Sequence, residues 1–323
     1  MIRARCRLGR STMPLSHRWP QRFSRGPSGV LFLAVALAGC ARPTEHPLLW
    51  RVDGARPSYL YGTIHLPDPR VLARPPAVEA ALRECTVVIT ELPLDRDTQK
   101  QAEARTRLPK GQSLDQLLPS PLYERADRYL QRKGLRLRAF NDRTVWFVST
   151  ALPLLDHLGA FVLREPLDRQ LVRSAERRRQ DTAALETLDE QLKVFENLSL
   201  ADQIALLEAT LDSVERVAAA RQDPIAELVE AYLSGDEAEL ERLLRQEAAL
   251  EHPVNQRLYD ELMTHRNGRF AERIAARLRA APERGQFFAL GAGHLVGEDG
   301  VVARLRAAGF TVTRIGAPAP ISP

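Results

Sequence analysis

Two histidines and two glutamates occupy matching positions along this chain. His65 ends the run 58–64, Glu91 ends 86–90, Glu186 ends 181–185, and His294 follows 286–290 through Gly291-Ala292-Gly293. Runs 58–64, 86–90 and 286–290 have the β-branched or aromatic character of strands, 181–185 is a short run at the same kind of position, and in open α/β sheets ligands bind beyond the carboxyl ends of the strands. The four side chains are therefore expected at one sheet edge. Two imidazoles and a carboxylate leave open positions for water on zinc, manganese, iron or cobalt. Water on such an ion ionises near neutral pH, and the second carboxylate can act as general base. Taken singly, a histidine at a strand end is more often a hydrogen-bonded structural residue, and a glutamate there often caps the next helix. The shared topological position of all four favours a site. His46, His157, His252 and His265 lie in helical or loop contexts without ligand spacing.

The loop Gly291-x-Gly293-x-x-x-Gly297 invites a dinucleotide reading, which requires an acidic residue about 20 positions on. No Asp or Glu follows Asp299, so that reading fails. The glycines are better suited to a tight turn with close backbone approach, bringing His294 and the first amides of the next helix to the site. No G-x-S-x-G, H-E-x-x-H or Walker-type motif is present.

The elements that must position these residues are legible in outline. Runs 48–53 and 58–64 read as a hairpin turning at Gly54. Residues 77–84 read as a helix and 86–90 as a buried strand, so that strand, helix and strand imply a parallel pair. Residues 96–164 are mostly helical, with breaks at Gly111, Pro119 and Gly134, and form a large insertion. A basic helix follows Pro166, then strand 181–185 and a helix from about Asp189. Residues 198–281 are almost entirely helical, and the chain closes with strand 286–290, helix 298–308 and strand 310–315. This is an α/β fold whose mixed, largely parallel sheet is completed by its N- and C-terminal strands.

Of 323 residues, 44% are hydrophobic and 27% charged, a globular composition with no sign of disorder. The net charge of +5 is misleading, because residues 1–39 contain seven arginines and no acid. Without them Lys+Arg falls from 46 to 39 against 41 Asp+Glu, a balance of −2, and nothing supports a nucleic-acid partner. The apolar run 30–38 is too short for a bilayer span of ~18 residues or more, and it ends in Leu37-Ala38-Gly39-Cys40, which resembles a bacterial lipobox. Residues 1–39 are expected to be a signal peptide, Cys40 a lipidation site, residues 40–47 a tether and 316–323 a Pro-rich tail. Ala41 after the cysteine favours an outer-membrane anchor facing the periplasm. Cys85 is expected to be a small core residue.

The residues around the four candidates resemble the TraB/GumN family, related to the Tiki proteases and more distantly to haem-binding ChaN-like and erythromycin-esterase-like proteins. The marks are Tyr59-Leu60-Tyr61-Gly62-Thr63-Ile64-His65 with its G-x-x-H, Val88-Ile89-Thr90-Glu91-Leu92, Leu167-Asp168, Leu185-Glu186-Thr187, Arg266-Asn267, and the second G-x-x-H in Gly291-Ala292-Gly293-His294. The resemblance covers 48–315 as one domain and implies two related halves, each presenting a G-x-x-H and a glutamate. It implies a metal-dependent, peptidase-like hydrolase with His65, Glu91 and His294 as metal ligands and manganese, cobalt or zinc as the ion. Glu186 is then a general base or further ligand, and Arg266 stabilises an oxyanion. Gly62, Asn267, Gly291 and Gly293 shape the loops or contact the ligand. The substrate is a peptide or similar small molecule. The competing reading is a non-catalytic envelope protein binding a peptide, a pheromone or haem, since ChaN-like relatives bind haem. One departure is the absence of a second histidine in 66–70.

Overall fold

In the computed structural model, residues 44–317 are described, except 67, 158, 160–162, 249 and 251. The expected signal peptide, Cys40 and most of the tail lie outside the described residues.

Six strands form one sheet: β1 (Leu49–Val52), β2 (Ser58–Thr63), β3 (Val87–Thr90), β4 (Asp181–Ala184), β5 (Gln286–Gly291) and β6 (Val312–Ile315). Their order is β4-β3-β5-β2-β1-β6. Strands β4, β3, β5 and β2 are parallel, and β1 runs antiparallel to both β2 and β6. This is the expected mixed sheet, with the first and last strands side by side at one end. Every residue of β2 and β3 is buried, as is β5 through Leu290. Strands covered on both faces read as near-continuous apolar runs rather than alternating ones, which made them visible in the sequence.

Twelve helices of seven residues or more are described: α1 (Pro76–Glu84), α2 (Arg96–Arg105), α3 (Ser120–Arg132), α4 (Val145–Ala151), α5 (Leu167–Arg177), α6 (Leu188–Glu196), α7 (Leu200–Ala220), α8 (Pro224–Ser234), α9 (Glu237–Glu247), α10 (Pro253–Tyr259), α11 (Arg266–Ala280) and α12 (Val301–Ala307). Helices α1, α5, α8, α9, α11 and α12 contribute to the core around the sheet. The insertion has a core of its own, where Leu122, Leu130, Val145 and Val148 meet Leu207 and Leu211 of α7. None of the described helices is long and apolar enough to cross a membrane. Cys85 is buried and unpaired, and burial pushes its thiol up to about 12.

Three expectations need correction. Strands β2 and β3 are parallel but not neighbours, because β5 pairs with both and fills the place between them. The expected helix 298–308 starts later, at Val301. Gly297, with φ +80°, and Gly300 form a turn closed by Gly300 N–H to Gly297 O at 3.1 Å, and a Cβ on Gly300 would collide with the Val296 carbonyl. The helical stretch before Ala281 is not uniform either: a π-turn, Asp260–His265, joins α10 to α11 immediately before Arg266. Wide turns of this kind often occur at functional sites.

Candidate active site

The sheet order sets Glu186, Glu91, His294 and His65 in a row across the ends of β4, β3, β5 and β2. The row is closed by backbone bonds, with Glu186 N–H donating to the Glu91 carbonyl at 2.9 Å. After Glu186 the chain turns at once into α6 through a capping box. Thr187 Oγ accepts from Glu190 N–H at 3.2 Å, and Glu190 Oε2 accepts from Thr187 N–H at 2.8 Å. At β2, the Tyr232 hydroxyl of α8 donates to the Gly62 carbonyl at 2.9 Å. Gly62 has no room for a side chain, since a Cβ would lie 2.9 Å from Leu48 Cβ and 3.1 Å from Ala292 Cβ. The turns carrying the two G-x-x-H motifs therefore pack directly on one another.

Both imidazoles are held by Nδ1. Asn267 Nδ2 donates to the Asp299 carbonyl at 3.1 Å, so its Oδ1 accepts, and His294 Nδ1 lies 2.7 Å from that oxygen. The proton of neutral His294 is thus on Nδ1, and Nε2 carries the lone pair. His65 Nδ1 lies 2.8 Å from Asp168 Oδ2, while the other oxygen of Asp168 accepts from the Thr63 hydroxyl at 2.6 Å. Asp168 is the residue whose role sequence reasoning missed. Its signal was available as a carboxylate on the buried stripe of α5, flanked by Leu167 and Leu171.

Arg266 lies at the centre of the buried network. Its Nε and Nη2 bind Glu186 at 3.0 and 2.6 Å, and Nη2 also reaches Glu91 Oε2 at 2.7 Å. Nη1 donates to the Leu262 carbonyl in the π-turn and to His294 Nε2, both at 3.2 Å. Glu91 Oε1 accepts from Gly291 N–H at 2.6 Å. The expected contribution of helix amides is thus made by the strand's own last amide, because α12 begins seven residues beyond His294.

The charges follow from these neighbours. Burial pushes His294 down to about 4, although Glu91 opposes this, so the ring is neutral at pH 7. Burial would raise Glu91, but the positive charges of His294 when protonated, Arg266 and His65, with the Gly291 amide, hold it at about 2. With His294 neutral, Arg266, protonated His65 and the amide carry that effect near pH 7. Glu186, whose side chain is wholly buried, is raised by burial against the pull of Arg266. The Asp168 carboxylate lifts His65 to about 9. One edge of the His65 ring remains open, with 64% of the side chain exposed, so solvent screens much of that pairing.

A profile of the TraB/PrgY/gumN family matches residues 48–314. The chain belongs to the TraB/PrgY/gumN family. Among curated relatives, the Metalloprotease TIKI homolog of Amphimedon queenslandica is 28% identical over 320 residues, covering 84% of this chain and 62% of that protein. Metalloprotease TIKI1 of Homo sapiens is 30% identical over 318 residues, covering 84% and 63%. Metalloprotease TIKI1 of Danio rerio is 30% identical over 334 residues, covering 88% and 67%. The match therefore spans less than two thirds of the first two relatives. No solved structure shows a significant match.

In this TraB/PrgY/gumN chain the expected residues converge unevenly. A Cβ placed on Gly291 would lie 3.2 Å from Glu91 Oε1, 3.5 Å from His294 Cδ2 and 3.8 Å from His65 Nε2. The three expected ligands thus surround one small space, which a side chain at Gly291 would enter. Gly293 faces elsewhere, since its Cβ would meet Leu244 at 2.8 Å and Met263 at 3.2 Å. Asn267 positions His294 and belongs with the loop-shaping residues. Arg266 is 4% exposed, far from a solvated helix charge.

The donor types fit a divalent metal, with two imidazoles anchored through Nδ1 and an ionised carboxylate oxygen. Their present spacing is that of a hydrogen-bonded network. His294 Nε2 and Glu91 Oε1 are 3.8 Å apart, and among the described residues no three His, Cys, Asp or Glu side chains stand at ligating separation.

Proposed function

We propose that the chain is a metal-dependent, peptidase-like hydrolase of the bacterial cell envelope. The observation that carries this reading is the convergence of His65, Glu91 and His294 on the space before Gly291. The metalloprotease names of the TIKI relatives support the reaction class. These three residues would hold a divalent transition metal, manganese, cobalt or zinc, which supplies a Lewis acid and a water ionised near neutral pH.

The chain's own residues do the remaining work. Asp168 and Asn267 fix the two rings. His65 gives up its Nε2 proton as it becomes a ligand, so loading is favoured as pH rises toward about 9. Arg266 starts bound to Glu186. Moving part of its guanidinium to the carbonyl oxygen of a bound peptide would stabilise the developing negative charge and release Glu186 to accept a proton from water. Cys40 would carry the lipid, anchoring the domain to the outer membrane on its periplasmic side, with a peptide or similar amide or ester as substrate.

The second reading, a non-catalytic binder of a peptide, pheromone or haem, draws on one observation: Arg266 already occupies His294 Nε2, leaving the exposed His65 as the accessible imidazole. The experiment that separates the two is metal analysis by mass spectrometry of protein beginning at Ala41, purified without chelator or histidine tag. About one metal per chain, lost in His65→Ala and His294→Ala, is expected from a three-ligand site. Metal content unchanged in both variants, or no uptake of zinc, manganese or cobalt, overturns the hydrolase reading and favours the binder.

A further inference from the structure

We propose that Arg269 binds a carboxylate of the substrate, so that the site takes peptides bearing an acidic side chain or a free C-terminus close to the scissile bond. This rests on the peptidase-like reading. A cleft of about 620 Å³ lies against α6, the π-turn and the first turn of α11, and both Arg269 and His265, the neighbour of Arg266, line it. The other charged groups of its wall are engaged. Glu190 is held by Arg273 at 2.5 Å, Lys193 by Asp189 at 2.7 Å and Glu261 by His265 at 3.2 Å. Arg257 pairs with Asp202, and Asp260 accepts from Gln256 at 3.0 Å. Among the described residues Arg269 has no carboxylate or carbonyl partner, and its Nε is buried without an acceptor. Nε is closed even to water, so an incoming anion would meet the outer edge of the guanidinium, its two Nη groups, which have no partner among the described residues.

Arg269 is placed for such a contact. Arg266, Arg269 and Arg273 follow one face of α11 at helical spacing. The first is tied to Glu91 and Glu186, and the third to Glu190 and the Leu185 carbonyl at 2.6 Å. Between them Arg269 is unpaired among the described residues, yet close enough for its charge to act on Glu186. One helical turn is ~5.4 Å, about the length of one to two residues of extended peptide. A carboxylate seated on Arg269 would therefore be one or two residues from a bond held at Arg266. The planar guanidinium fork matches the two oxygens of a carboxylate, the anion that a peptide substrate carries.

The test uses the whole protein with its metal, wild type and Arg269→Gln and Arg269→Lys. Calorimetry compares matched capped pentapeptides containing Glu or Gln, and the Gln peptide with a free or amidated C-terminus, with kcat/KM measured for any that are cleaved. A charged hydrogen-bonded contact should give the carboxylate member about tenfold tighter binding or more. Arg269→Gln should erase that preference while leaving the neutral peptide's affinity unchanged, and Arg269→Lys should keep part of it. The two pairs distinguish a side-chain carboxylate from a terminal one. Equal binding within both pairs, no binding of any peptide, or a preference that survives Arg269→Gln overturns the proposal. Carboxylate-selective binding through Arg269 without cleavage would sustain the subsite and remove the hydrolase reading. Cleavage without that preference would do the reverse.

Discussion

Asp168 determines the state of His65. With its carboxylate at Nδ1 the imidazole stays protonated to about 9 in the metal-free protein. Asp168→Asn should return it toward 6.5, read by NMR titration of the His65 ring protons. The sign follows from the raised folded value: the pairing adds stability fully below about 6.5 and loses it as pH climbs through about 9. The ring's exposure makes that contribution small. Arg266 is the opposite case, because its partners are buried. Arg266→Ala leaves Glu91 and Glu186 unpaired inside the protein and should cost about 3–5 kcal/mol, measured as a shift in denaturant midpoint. Adding Glu186→Gln to that variant should recover part of the loss, and failure to do so would place the cost elsewhere. The four strand-end residues were legible because a strand followed by His or Glu is a local pattern. Asp168's role and Arg266's burial were not, since His65 and Asp168 are 103 positions apart and Arg266 and Glu91 are 175.

At the scale of elements, the site depends on where strands end and turns begin. Gly291 has φ −50° and ψ 130°, which alanine adopts without strain, so its requirement for glycine is one of space. Gly291→Ala should leave stability within about 1 kcal/mol while its methyl intrudes among Glu91, His294 and His65. Metal retention and any peptide hydrolysis should fall sharply with the melting transition nearly unmoved. An unchanged metal content would show that this space is not where the ligands meet. Strands β2, β3 and β5 were readable from buried apolar runs, but the start of α12 was not, because Gly297 with its positive φ and Gly300 with its crowding by the Val296 and Leu295 carbonyls act through a turn that only the fold brings together. The π-turn left no comparable signal, as 253–280 reads as helix throughout.

For the whole molecule, the sequence supported a mixed sheet joined at its N- and C-terminal strands, and the sheet has that form. The β1–β2 hairpin was readable, but the central order was hidden, because β5 finds β2 and β3 across some two hundred intervening residues. Attachment to a membrane is predicted by residues outside the described part. Cys40→Ser should move the protein from the membrane to the soluble fraction of cells, and retention on the membrane would rule out the lipid anchor.

Strand β5 also dictates the order of events in folding. Until residues 286–291 have been made and docked, β2 and β3 each present an unpaired central edge, and the row of site residues lacks His294 and the amide that holds Glu91. Pairings so distant in sequence form slowly, and exposed strand edges are the usual starting points for aggregation. A chain truncated just before Gln286 would therefore lose more than its last two strands: it would be a sticky, siteless intermediate, and the intact protein must pass through the same stage each time it is synthesised.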